Sequence, residues 1–188
     1  MNRLNLTLFA CLACAAATAQ ARALADAAAP PGPLTPIASL DVQRYMGTWY
    51  EIAKYPNRFQ KKCVAQTTAQ YRLGADGIVQ VINRCSEERG NFDEAIGEAR
   101  QTGPATSPKL KVRFAPAWLS WLPFVWGDYW VVDLDARYEL GAVSEPKREY
   151  LWVLSRTPVV EPGDYAALLA RLKAQGFDLN RLVLSLQQ

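Results

Sequence analysis

The side chains that do covalent or acid–base chemistry are unevenly represented in this sequence. It carries 18 carboxylates and four cysteines but no histidine. Histidine is the commonest general base and metal ligand, and the usual partner of a nucleophilic Ser or Cys. Hydrolytic and zinc chemistry are therefore poor fits, and haem would lack its imidazole ligand. Glu51 and Glu87 are potential acids or bases, but no spacing pairs either with a nucleophile. The reading is of a protein that binds, without cofactor or metal, and is not an enzyme. The net charge of +3 has no basic run longer than pairs such as Lys61-Lys62, which argues against nucleic acid.

The cysteines divide into two sets. Cys11 and Cys14 lie in an N-terminal stretch with Arg3 at its start, an apolar run from Leu4 to Ala17 and small-residue sites at Ala19-Gln20-Ala21 and Ala23-Leu24-Ala25. That is the pattern of a secretory signal, too short for a membrane span. Residues 1–25 are read as the signal, and the chain as exported to the periplasm or outer membrane. Lipoprotein signals have a Leu-small-small-Cys pattern. Cys11 and Cys14 fit it poorly, so a lipid anchor stays an alternative. Cys63 and Cys85 belong to the folded part, where two cysteines in an exported domain suggest one disulfide.

These residues must be positioned by a domain that starts near Leu40, after an Ala/Pro-rich spacer over 26–39 expected to be disordered. The domain spans 40–188. Eight β-like runs separated by turn signals follow: 48–55, 65–73, 78–85, 94–102, 109–114, 128–134, 137–143 and 149–156. Many short antiparallel strands at regular spacing imply a sandwich or a barrel. Gly74-Ala75-Asp76-Gly77 turns the second run into the third. Cys63 and Cys85 are nearly symmetric about that turn and in the same inward phase, so their Cα atoms approach within about 6 Å, as a disulfide requires.

Alternation assigns the faces. Leu110, Val112 and Phe114 oppose Lys109, Lys111 and Arg113. Thr67, Ala69 and Tyr71, then Val79 and Val81, then Ala95, Gly97 and Ala99 turn inward. Several are small, which leaves room in the middle. An eight-stranded barrel is about the size that is filled by side chains or holds one small ligand. Glu161-Pro162-Gly163-Asp164 opens a helix, with Asp164 the cap candidate and Tyr165, Leu168, Leu169 and Leu172 a stripe for packing on the barrel. The tail 179–186 has the makings of a short strand.

Gly47-Thr48-Trp49-Tyr50 at the first strand, Asp133-Leu134-Asp135 with Tyr138 at the sixth turn, and Arg156 at the end of the eighth strand resemble the lipocalin signature. The resemblance runs over about 40–184. Tyr150 to Pro158 and Arg58 to Cys63 look most like the bacterial lipocalin branch, which is similar to plant temperature-induced lipocalins and apolipoprotein D. It implies an all-β, eight-stranded up-and-down barrel, the lipocalin calyx, with one C-terminal helix outside. It implies a structural role for Gly47, Trp49, Asp133, Asp135 and Arg156, with Arg156 stacked on Trp49 at the closed end and both aspartates serving the adjoining turn. It further implies a fatty acid or lysophospholipid as ligand, and a role in envelope lipid storage, transport or membrane maintenance under stress.

With strand one entering at the closed end, loops 56–62, 86–93, 115–127 and 144–148 ring the mouth. The resemblance to the bacterial branch implies that Trp126 and Trp152 lie against the ligand, with Tyr150, Leu154, Tyr71, Phe114, Val112 and Trp130 expected around them. The phase of strand six is ambiguous, because Trp130 and Val132 alternate with the equally apolar Tyr129 and Val131. Trp118, Trp121 and Phe124 crowd the third loop, which serves as a lid, a membrane contact or a second-subunit surface. Arg58 on the first loop is available to an acidic head group. A docking module and, more remotely, an isomerase on the same scaffold are the alternatives. The chain is read as a monomer or homodimer.

Overall fold

The computed structural model describes residues 32–187. The signal reading, and most of the spacer reading, lie outside them. Within the described part of the spacer, Leu34 is buried and the Ile37 N–H donates to the Val131 carbonyl at 3.0 Å. The ordered region thus begins before Leu40, because Leu34 and Ile37 both find apolar cover on the domain.

A single turn of helix, α1 (Val42–Tyr45), follows, capped by Asp41, whose carboxylate accepts from the Arg44 N–H at 3.1 Å. Nine strands come next: β1 (Gly47–Lys54), β2 (Cys63–Leu73), β3 (Val79–Glu87), β4 (Phe92–Gln101), β5 (Lys109–Arg113), β6 (Gly127–Leu134), β7 (Leu140–Ser144), β8 (Leu151–Ser155) and β9 (Val183–Leu184). The helix α2 (Pro162–Ala174) lies between β8 and β9. Each of β2 to β8 pairs with its sequence neighbour, and β1 pairs with both β8 and β2, closing an eight-stranded antiparallel barrel. The barrel is the expected one, with β9 added on the edge of β1.

The last two barrel strands start later than expected, each for the same reason. Asp135 gathers the sixth turn, accepting from the N–H groups of Arg137, Glu139 and Leu140 at 3.1, 2.6 and 2.8 Å, so β7 begins at Leu140 and not at Arg137. Glu145 does the same for the next turn through Lys147 and Tyr150, and β8 begins at Leu151. A short acidic side chain that satisfies turn N–H groups competes with the ladder for them.

The apolar residues form two clusters. One lines the barrel interior and includes Trp49, Tyr71, Val79, Leu110, Val131 and Leu154. The other lies outside, beneath α2, and joins Ala53, Tyr55, Val132, Leu151 and Val153 to Leu168, Leu172 and Phe177. Strands β6 and β8 are apolar on both faces because both faces are covered. The helix begins at Pro162 with Glu161 as its cap, so Asp164 falls in the first turn and does not cap it. Leu168 and Leu172 are fully buried.

The β1–β2 seam is the exception to a regular barrel. Those strands pair only from Gly47↔Tyr71 to Tyr50↔Thr68. Beyond that point the tail fills the gap. β9 pairs with β1, the Gln66 N–H donates to the Leu186 carbonyl at 2.6 Å, and Gln187 Nε2 donates to the Glu51 and Thr67 carbonyls at 2.6 and 3.0 Å.

Candidate ligand cavity

The barrel encloses a cavity of about 610 Å³, open at one end. That falls in the usual range for small-molecule sites. Its space comes from small inward side chains, Ala69, Ala95 and Ala99, set among Val79, Val81, Leu110, Val112 and Leu154. At the closed end the Trp49 indole is fully buried and Arg156 Cζ stands 4.0 Å from its ring centre. The Arg156 guanidinium also donates to the carbonyls of Tyr138, Thr48 and Arg44 at 3.2, 3.0 and 2.9 Å. Gly47 is required beside it. Its φ is +99°, and a Cβ there would sit 3.1 Å from Arg156 Nη1.

Above this plug, three tyrosines face one another. Tyr45 from α1 and Tyr71 from β2 each place a hydroxyl 2.9 Å from that of Tyr129 on β6. Burial pushes the phenol of Tyr71 up to about 12, despite the hydrogen bond to Tyr129 and the charge of Arg156. Burial likewise raises Tyr45 and Tyr129, so all three are neutral at physiological pH.

A second polar group lies in the wall. Glu51 is buried and engaged: Lys54 Nζ is 2.9 Å away, and Gln60 Nε2 and the Ser185 hydroxyl donate to it at 2.6 and 2.5 Å. A bulge between Glu51 and Ala53 makes this possible, turning Ala53 outward to the helix while Glu51 faces the cavity. Gln60 in turn accepts from Trp152 Nε1 at 2.9 Å.

The Lipocalin-like domain family matches residues 40–187. The chain belongs to the lipocalin family. It is 41% identical over 149 residues to temperature-induced lipocalin-1 of Arabidopsis thaliana, covering 78% of each chain. It is 40% identical over 160 residues to the outer membrane lipoprotein Blc of Vibrio cholerae, covering 84% of this chain and 89% of that one. Among solved structures it superposes on insecticyanin of the tobacco hornworm Manduca sexta with a TM-score of 0.61 at 18% identity, over 84% and 85% of the two chains, a likeness of fold.

In this lipocalin, Trp126, Trp152, Tyr150, Leu154, Tyr71, Val112 and Phe114 all border the cavity. Trp152 stacks on Tyr150 with ring centres 5.8 Å apart, and Trp126 Nε1 donates to the Ser120 carbonyl at 2.8 Å. Trp130 does not join them. It packs with the outer cluster, and Lys109 Nζ sits 4.2 Å from its ring centre. The inward phase of β6 belongs to Tyr129 and Val131, the alternative the sequence left open. Asp133 also departs from its expected place. The bulge between Val131 and Asp133 turns its carboxylate outward, where it accepts both Arg171 Nε and Nη2 of α2 at 2.7 and 2.8 Å, while Asp135 alone gathers the turn. Cys63 and Cys85 are bonded, with Cα atoms 5.5 Å apart.

At the mouth, Arg58 borders the opening with its guanidinium over the ring of Phe59. Phe124 borders the cavity, whereas Trp118 and Trp121 do not. All three are exposed, at 80, 73 and 76%. Tyr45 and Gln60 are cavity residues that the sequence reading did not single out, whereas Tyr129 entered it only as the alternative phase of strand six and Glu51 only as an unpaired carboxylate. The Asp41-Val42-Gln43-Arg44 cap was the available signal for Tyr45.

Proposed function

We propose that this protein binds a lipid-like apolar ligand, a fatty acid or lysophospholipid, in its calyx, and stores or carries it in the bacterial cell envelope. The observation that carries this reading is the 610 Å³ cavity with its largely apolar wall and open mouth. Burial of an acyl chain there contributes about 0.8 kcal/mol per CH₂. Relatives named outer membrane lipoproteins support export and an envelope location. A part in membrane maintenance under stress belongs to the same proposal. No catalysis is proposed. The inward carboxylate Glu51 is held by Lys54, Gln60 and Ser185 and is poorly placed to move a proton on a ligand.

The test is titration of the purified protein with palmitic acid while following tryptophan fluorescence, with Trp126 and Trp152 in the wall as reporters. Quenching and a bound lipid by native mass spectrometry are expected. The absence of both overturns the proposal.

A second reading, docking of the mouth on a lipid bilayer, draws on a different observation. Phe59, Trp118, Trp121 and Phe124 on two loops, and Phe92 at the start of β4, are exposed at the open end, and no charged residue lies between Phe114 and Gly127. Flotation of the protein with phosphatidylcholine liposomes tests it. The Trp118→Ser, Trp121→Ser variant should lose flotation, and equal flotation of the two proteins rules the loop out. Self-association that the same variant abolishes would assign these side chains to a dimer surface instead.

A further inference from the structure

Three tyrosine hydroxyls meet at the cavity floor, and their protons do not balance their bonds. Tyr129 is linked to Tyr45 and to Tyr71, which makes two hydrogen bonds among three hydroxyls. Each hydroxyl brings one proton. Whichever way the two links run, one O–H is left over, and no other described protein atom accepts from these hydroxyls. All three tyrosines border the cavity, so the spare donor faces the space a ligand fills.

The surroundings select what that donor meets. The Trp49 ring lies directly beneath Tyr45, with ring centres 4.9 Å apart, and the Arg156 guanidinium covers the same indole. Arg156 donates only to carbonyl oxygens and forms no ion pair among the described residues. Its positive charge under the floor favours an electron-rich oxygen and disfavours a cation or a second donor. A buried, unpaired donor is costly to leave unmet, whereas an incoming acceptor recovers that cost.

We propose that the Tyr45–Tyr129–Tyr71 cluster is a polar subsite for a carboxyl or acyl oxygen, so that the ligand enters polar end first and leaves its hydrocarbon tail toward the mouth. The inference rests on the calyx holding an apolar ligand, and it narrows that ligand to a single acyl chain with a small oxygen-bearing end. A lysophospholipid, with its bulky charged head, does not suit a floor of three phenols. The tail then leaves through the aromatic rim of Phe59, Phe114 and Phe124, a surface suited to hydrocarbon.

Two palmitic acids test the orientation, one with an anthroyloxy fluorophore on its terminal carbon and one with it beside the carboxyl group. Head-first entry predicts binding of the first and rejection of the second. Tyr45→Phe, Tyr71→Phe or Tyr129→Phe alone leaves at least one spare O–H among the remaining hydroxyls, so each single variant should bind the terminally labelled acid nearly as the wild type does. The triple Phe variant has no spare donor, and its affinity should fall about tenfold, in line with one lost hydrogen bond to an acid group. The neutral dye N-phenyl-1-naphthylamine, which needs only the apolar wall, should bind all variants equally. Its retention with near-ultraviolet circular dichroism unchanged identifies the variants that fold. Preference for the probe labelled beside the carboxyl, or unchanged acid affinity in the folded triple variant, overturns the subsite and leaves the apolar-cavity reading intact. Failure of the wild-type protein to bind any of the three probes overturns both.

Discussion

Arg156 and Trp49 seal the closed end together: the guanidinium carbon lies 4.0 Å from the indole ring centre while its N–H groups reach carbonyls of Tyr138, Thr48 and Arg44. The contact ties the end of β8 to the start of β1, to α1 and to the sixth turn. Arg156→Met removes the cation–π contact and the three hydrogen bonds to carbonyls, two of them open to water, an expected loss of about 2 kcal/mol. Arg156→Lys keeps the charge but not the fork and should lie between. Urea unfolding of the three proteins measures both, and equal midpoints would show the plug to be dispensable.

The disulfide ties the start of β2 to the end of β3, strands already joined by their ladder. The Cys63–Cys85 bond closes a loop of 22 residues, so the Cys63→Ala, Cys85→Ala variant should lose about 3 kcal/mol on the chain-entropy account. Dithiothreitol should lower the wild-type urea midpoint toward that of the variant and leave the variant unmoved.

At acid pH the sixth turn should be an early casualty. Burial alone would raise the Asp135 carboxyl, but the N–H groups of Leu140, Glu139 and Arg137 outweigh it and hold it below its ordinary value. The unfolded chain therefore takes up this proton first. The stability Asp135 contributes is present above pH 4 and is lost as pH falls through the lower folded value. Asp135→Asn should be less stable than wild type at pH 7, with a smaller further loss below pH 4 in thermal melts.

Alkali should act through the tyrosine floor with the opposite sign. The folded phenols of Tyr45, Tyr71 and Tyr129 hold their protons above pH 10, whereas unfolded tyrosines release them near that value. Stability is full below pH 10 and should fall as pH rises toward 12. Phenolate absorbance should come up in two phases, the later one coinciding with loss of circular dichroism.

Filling the calyx should separate binding from folding. Ala95 borders the cavity from β4 and remains exposed to it. Ala95→Trp should reduce fatty-acid affinity at least tenfold, with the thermal midpoint little changed. Undiminished binding would place the ligand elsewhere.

The barrel was readable because most strands obey a period of two with one face dry. In β5 the alternation of Lys109, Lys111 and Arg113 with Leu110 and Val112 left no choice. The errors fall where that signal is absent or shifted. Strand β6 is covered on both faces, so hydropathy could not choose between Trp130 and Tyr129. A bulge then displaced Asp133 by one position, and no residue type announces a bulge of that kind. Tyr45 was missed because a single helical turn before β1 is too short to carry a periodic pattern. Glu51 read as an isolated carboxylate because Gln60 reaches it only through the turn of the first loop and Ser185 from 134 positions away.

The seam between β1 and β2 bears on how the chain reaches this state. Tyr50 pairs with Ser155, 105 positions later, and the tail that fills the gap comes later still. Such pairings give a high contact order, which slows folding, because loop-closure entropy must be met before the long-range contacts form. The β2–β3 hairpin is local and needs none of this. It is free to form before the rest of the sheet, so the oxidation of Cys63 and Cys85 can precede circularisation of the sheet. The remaining strands would then assemble onto an already cross-linked template.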